Sequence, residues 1–286
     1  MDLGTGLLDM HIDLVEELLQ QAGPQDWDRR THWFTVLATS VTPSTIHLWS
    51  RRRPQSADLL LLHAWADLLQ GRRRGRLNDA QDVVATCHHV ARLQPADPGP
   101  WIVLLGVLRD LRRDPREVFP VWNEIIRRDA WHREGHLQML GYLSPEECGS
   151  STQQNTFVDN AMASMPFGAP PVALELHVLL SRYRRAVADN GLTGLLADRI
   201  FDQPFAESVL GGALSTWPRP GFLRHAAALA DLNVLAYLAA HARHRDAANA
   251  FRAVGATVTP WPWRLDGDPV EQYSTWRKYF LTRARR

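Results

Sequence analysis

The chain has 286 residues, 45% hydrophobic and 22% charged, enough apolar material for one long helical domain or two compact ones, and this excludes a disordered chain. A formal net charge of +1 provides no global field that would gather nucleic acid or an anionic membrane. Cys87 and Cys148 offer neither a disulfide framework nor paired Cys-x-x-Cys clips, so a reducing cytoplasm is the expected compartment.

Apolar residues recur at spacings of three and four along almost the whole chain, and period-two alternation is scarce, which predicts an all-α protein. The start carries Asp2, Asp9, Asp13, Glu16 and Glu17 with no basic residue ahead of its apolar positions, the reverse of a secretory signal. Leu7, Leu8, Ile12, Val15, Leu18 and Leu19 mark a first amphipathic helix that stops near Gly23 and Pro24. A second spans 26–40 and buries Trp27, Trp33, Phe34 and Leu37, and Pro43 and Pro54 bracket a shorter one with Ile46 and Trp49. Ser56 is placed to cap a helix over 59–69 that Gly71 ends, followed by an arginine loop over 72–76. Asn78 is placed to cap the next, which runs through Val83, Val84, Cys87 and Val90 to Leu93, with Pro95 closing the pair.

An offset of 35 residues superimposes the apolar positions of two successive segments. Val83, Val84, Cys87 and Val90 fall on Val118, Phe119, Trp122 and Ile125, while Trp101, Leu104, Leu105 and Leu108 fall on His136, Met139, Leu140 and Leu143. Turn signals are kept as well, with Pro98, Gly99 and Pro100 ahead of one helix and Asp114 and Pro115 ahead of the next. Each unit is a helical hairpin that cannot bury its apolar face alone, so neighbouring units are expected to stack.

A loop over 144–151 leads to a helix with Phe157, Val158 and Ala161, and the Pro/Gly-rich stretch 166–171 divides the chain into 1–165 and 166–286, expected to pack as one continuous domain. Beyond it come a helix over 172–190 stopped at Gly191, one or two shorter helices over 200–214, and a break at 217–221. A hairpin of 222–242 and 246–254 follows, joined by the basic turn 241–245. The tail is irregular around Pro260, Trp261, Pro262 and Trp263 and ends in a helix over 270–283.

These hairpins resemble the tetratricopeptide repeat. Pro100, Trp101, Leu104, Leu105 and Leu108 resemble its first helix, and Val83, Cys87, Val90 and Pro95 its second helix with the closing proline. Leu105 and Leu140 stand where the family has a small residue between the two helices, so the repeats are degenerate. The chain also resembles an uncharacterised bacterial family of tetratricopeptide-like proteins, through 101–108, His136 to Leu140 with Gly149 and Ser150, and Phe251 with 255–263. The resemblance implies a superhelical solenoid with an irregular C-terminal tail, and it implies no reaction.

Catalytic and metal motifs do not assemble. His132, Glu134 and His136 lack the zinc-protease spacing, Cys87, His88 and His89 point apart on a helix, and no nucleophile elbow, phosphate loop or dinucleotide fingerprint occurs. In Cys148, Gly149, Ser150 and Ser151, with His132 or His136 as a base, a serine ahead of a helix reads first as an N-cap. The adjacent Glu146 and Glu147 do not face one another across a cleft. Of the 32 basic residues only Lys278 is lysine, and the arginine runs at 51–53, 72–76 and 283–286 lie at helix ends, where the dipole favours cations. No run approaches the roughly 18 apolar residues of a membrane span.

The reading that results is a non-enzymatic interaction module without cofactor or metal, gripping an acidic or extended segment of another protein in a groove lined by first helices. Beside the packing register, Ile102, Val103, Arg109 and Gln138 fall in that groove, with Arg112 nearby and Trp131 as an aromatic contact. A small-molecule binder or enzyme with a pocket between the halves is the alternative, and nucleic-acid binding through the arginine runs is a third. Of the other tryptophans, Trp101 and Trp122 are expected in the core, Trp261 and Trp263 partly exposed.

Overall fold

A computed structural model describes residues 3–23, 25–77, 79–189, 194 and 196–283, with side chains from Met10 onward. The positions read above at Pro24, Asn78, Asn190, Gly191 and 284–286, and the side chains of Leu7 and Leu8, lie outside that description. Among the described residues the chain is helical without a β-strand, and it divides between Met165 and Pro166 into two compact units.

The first unit holds α1 (Leu3–Gln20), α2 (Trp27–Ser40), α3 (Pro43–Arg52), α4 (Ala57–Arg74), α5 (Ala80–Leu93), α6 (Gly99–Asp110), α7 (Pro115–Arg128), α8 (Arg133–Tyr142) and α9 (Ser151–Ser164). Side-chain caps set several starts: Asp26, Thr42, Ser56, Asp114 and Ser150 each accept a first-turn backbone N–H. Such a cap stabilises a helix by about 1 kcal/mol. Gly71 does not end α4. The helix runs on to Arg74, and Gly75 stops it in the left-handed conformation at φ 73°, so three of the arginines assigned to a loop are helical.

Within this unit α4 touches α5, α6 touches α7 and α8 touches α9, while α4 also meets α6 and α6 meets α8. The middle helix α6 is apolar around its whole circumference, with Ile102, Val103, Leu104, Leu105 and Val107 all enclosed. Burying each such side chain contributes about 1.5–3 kcal/mol before the entropy of ordering it is subtracted. The close approaches are made at Gly106 and Gly141, one residue beyond the leucines named above. A Cβ on Gly106 would stand 2.5 Å from Leu68 Cδ2 of α4, and one on Gly141 would stand 2.2 Å from Arg109 Cζ of α6. Gly71, Gly106 and Gly141 repeat at the same offset of 35, so the small-residue signature is present in the sequence at a neighbouring register.

Helix α2 packs on α4 and α8 and joins their N-terminal ends by buried polar contacts. The Arg30 guanidinium donates to Asp58 at the start of α4, to Asp97 Oδ2 ahead of α6 at 3.2 Å, and to Gln94 Oε1 at 3.2 Å. Asp97 also accepts the Gly99 backbone N–H at 2.7 Å, tying the charge cluster to the first turn of α6.

The second unit holds a 3-10 turn (Pro170–Ala173), α10 (Leu174–Ala188), a second 3-10 turn (Ala197–Asp202), α11 (Pro204–Thr216), α12 (Ala228–His241), α13 (Ala247–Val254), a helical turn α14 (Pro260–Trp263) and α15 (Pro269–Arg283). α12 starts later than the apolar pattern suggested, because Gly221 takes a positive φ and residues 222–227 are bends, turns and irregular backbone. Its alanine-rich stretch Val234 to Ala240 is fully enclosed. Trp263, read as partly exposed, is completely buried. It stands 5.3 Å from Tyr273 and 6.0 Å from Phe251, with its indole N–H donating to Asn233 Oδ1 at 2.9 Å. A proline-flanked tryptophan pair looks loop-like in sequence, yet the indole buries too much apolar area to stay outside when α12, α13 and α15 leave room for it. Trp101, Trp122, Trp131 and Trp261 are half-buried.

Candidate functional site

The polar side chains with the densest mutual contacts in the first unit bridge α4, α6 and α8. Arg72, in the last turn of α4, donates from Nε to both carboxylate oxygens of Asp110 at 3.0 Å, and its Nη2 reaches the Gly106 carbonyl at 3.3 Å and Gln138 Oε1 at 2.9 Å. Arg109 donates from Nη1 to the same Gln138 oxygen at 2.9 Å and forms a two-pronged pair with Glu147. Gln138 Nε2 donates in turn to Glu134 Oε1 at 2.6 Å.

Each part has a local cause. The missing Cβ at Gly141 leaves the space in which the Arg109 guanidinium lies. Burial opposes the charge on Arg109, but Glu147, with help from Asp110 and Glu134, outweighs it and raises the guanidinium above its ordinary range. Arg112 follows α6 in the left-handed region at φ 52°, a conformation a non-glycine residue adopts at a cost of about 1–2 kcal/mol. That turn brings its guanidinium to the backbone carbonyls of Glu146 and Glu147, both at 3.1 Å.

The six residues read as groove-lining thus meet different fates. Arg109, Gln138 and Arg112 join one network. Ile102 and Val103 are enclosed in the core, because α6 is covered on every side, and they present no surface to a partner. Trp131 is half-exposed and stacks on His136 at 5.7 Å with an interplanar angle of 14°. Replacing Arg109 by alanine is therefore expected to act on stability first. It strips Glu147 of its two-pronged partner and leaves Gln138 Oε1 with Arg72 alone, and a loss of about 1–3 kcal/mol in denaturant unfolding is the expected result.

The histidine candidates are engaged internally. Buried His132 accepts the Gly135 N–H at Nδ1 and meets Thr31 Oγ1 of α2 at 3.0 Å through Nε2, which fixes its proton on Nε2. His136 Nδ1 pairs with the His132 carbonyl at 2.9 Å, and Glu134 turns to Gln138. Among the described residues no three His, Cys, Asp or Glu side chains are arranged to hold a metal ion. Ser150 caps α9 through the Gln153 N–H, and burial pushes the neighbouring Cys148 thiol up.

Two polar clusters of the second unit carry no sequence signal, because their members are distant in the chain. Tyr183 Oη lies 2.9 Å from His241 Nδ1, and His241 Nε2 lies 2.9 Å from Asp266 Oδ2, while Tyr237 donates to Asp266 Oδ1 at 3.0 Å. Burial, reinforced by the charges of Asp198 and Asp266, pushes the Tyr183 phenol up to about 12, so it stays protonated at neutral pH. The buried Asp231 carboxylate lies between His225 Nε2 at 3.3 Å and His177 Nε2 at 3.9 Å.

Fold and site together define an all-α chain with internally braced polar networks and no helix, among the described residues, long and apolar enough to cross a membrane. Compared with known proteins, the chain matches no family model, no curated protein and no solved structure.

Proposed function

We propose that the first unit is a tetratricopeptide-like superhelix of degenerate hairpins, and that the chain is a non-enzymatic cytoplasmic module that holds a segment of another protein. The observation that carries this reading is the succession of contacts from α4 to α6 to α8, each helix paired with its hairpin mate, at the same 35-residue spacing that Gly71, Gly106 and Gly141 keep. The bridging network of Arg72, Asp110, Gln138, Arg109 and Glu147 supports it further, since cross-repeat bonds fix the rotation between hairpins and pre-organise a surface, which lowers the entropy cost of binding. With Ile102 and Val103 enclosed, the contact residue beside the network is the exposed Arg112, and the half-exposed Trp131 remains an aromatic candidate at the start of α8.

A photo-crosslinking side chain at Arg112, compared with one at exposed His88 on α5, tests the reading in cells. A single protein partner joined from position 112 and not from 88, and bound again when purified, is expected. Equal labelling from both positions, or a turnover activity in the purified chain that survives changes at this face, would sink it. A second reading, small-molecule binding by the C-terminal unit, is favoured by an open depression of about 300 Å³ along α15.

A further inference from the structure

We propose that one face of α15, built by Ser274, Arg277, Lys278, Leu281 and Thr282, binds a small phosphomonoester. The inference rests on the second reading above and not on the interaction-module reading, so either can fail alone.

Positions 274, 277, 278, 281 and 282 follow the three-and-four spacing that places side chains along one helical face. There they line an open surface depression of about 300 Å³. That volume is at the lower end of small-ligand sites, suited to a compact metabolite-sized molecule.

Charge gives the ligand its sign. Elsewhere the arginines Arg30, Arg53, Arg72, Arg109, Arg113, Arg127 and Arg128 sit against carboxylates within 4 Å. Arg277 and Lys278, adjacent on this cavity, have no carboxylate partner among the described residues. The Arg277 Nε–H is enclosed without a hydrogen-bond acceptor, and an enclosed charged donor left unused costs stability until an acceptor arrives. The guanidinium lies beside the Tyr273 hydroxyl, which donates to the Gly255 carbonyl at 2.7 Å.

Number of donors and amount of charge select phosphate over carboxylate. Two cations, Arg277 and Lys278, and the hydroxyl of Ser274 one turn earlier line the same depression. A phosphomonoester brings roughly −1.5 to −2 charge and three strong acceptor oxygens, whereas a carboxylate brings one charge and two oxygens. Leu281 leaves an apolar strip for the group that carries the phosphate.

Titration calorimetry of the full chain with phenyl phosphate, inorganic phosphate and acetate at about 0.15 M salt tests this directly. Saturable one-to-one binding of phenyl phosphate is expected, with inorganic phosphate weaker and acetate undetected. Arg277→Gln with Lys278→Gln should weaken phenyl phosphate by about tenfold or more, and Arg73→Gln with Arg74→Gln, on exposed arginines of α4, should leave it unchanged. Should Arg277→Gln disturb folding, Ser274→Ala with Lys278→Gln at two exposed positions reads the same site. Absence of saturation up to about 10 mM, equal affinity for acetate, or full affinity in the variants would overturn the proposal. So would a single-stranded oligonucleotide that binds tightly where phenyl phosphate does not.

Discussion

Replacing Arg30 by methionine is expected to cost about 3–5 kcal/mol of unfolding free energy. The guanidinium lies between Asp58 and Asp97, and the side chains of Arg30 and Asp97 are 9% and 2% exposed, so water cannot take over when the cation goes. Two like charges would then share an enclosed site. Because Asp58 begins α4 and Asp97 precedes α6, the damage reaches the junction of α2 with both helices. The check is the denaturant midpoint at unchanged m-value. Arg30→Met combined with Asp58→Asn and Asp97→Asn should recover most of the loss, since neutral groups of similar shape remove the uncompensated charge while the amide oxygen introduced by Asp97→Asn can still accept the Gly99 N–H. A single variant that loses less than about 1 kcal/mol would show that the carboxylates find other partners.

Acid should unfold the first unit earlier than its surface charges would suggest, and His132 is the reason. Burial pushes this imidazole down to about 3, against an ordinary value of 6.5. The native state therefore holds it neutral while the unfolded chain protonates it. With the folded value depressed, its contribution is complete above about pH 6.5 and is lost as pH falls from there toward about 3, at up to about 1.4 kcal/mol per pH unit. Burial also lowers His136 and His32, which adds in the same direction. Denaturant unfolding at pH 7 and at pH 4.5 measures the slope. His132→Asn keeps an acceptor for the Gly135 N–H at the start of α8 but cannot titrate, so its loss between the two pH values should be smaller by about 2–3 kcal/mol. An identical slope in the variant would place the acid sensitivity elsewhere.

Both predictions concern residues that the sequence did not single out for these roles. Arg30 looked like one more helical arginine, and Asp58 and Asp97 lie 28 and 67 positions away from it. No local spacing brings them together. The same holds for Asp266, which is 25 residues from His241, and for Glu147, which is 38 from Arg109. Arg109, Arg112 and Gln138 could be found because they ride beside a packing register that repeats. Ile102 and Val103 were misplaced by the same reasoning, since a repeat register fixes which residues face a neighbour but not whether the opposite face stays open.

What the sequence determined by itself is the helical character of the chain, much of its turn and cap placement, and the 35-residue period of its middle segment. These are local properties, set by apolar spacing, by Ser56, Asp114 and Ser150 at helix starts, and by glycine and proline at the ends. The tertiary structure alone decided which charges meet in the interior, that α6 is enclosed, that Trp263 is core, and that Arg277 and Lys278 border an open depression. The physical reason is that burial and charge pairing depend on distances between segments remote in the chain, which periodicity within a single helix does not encode.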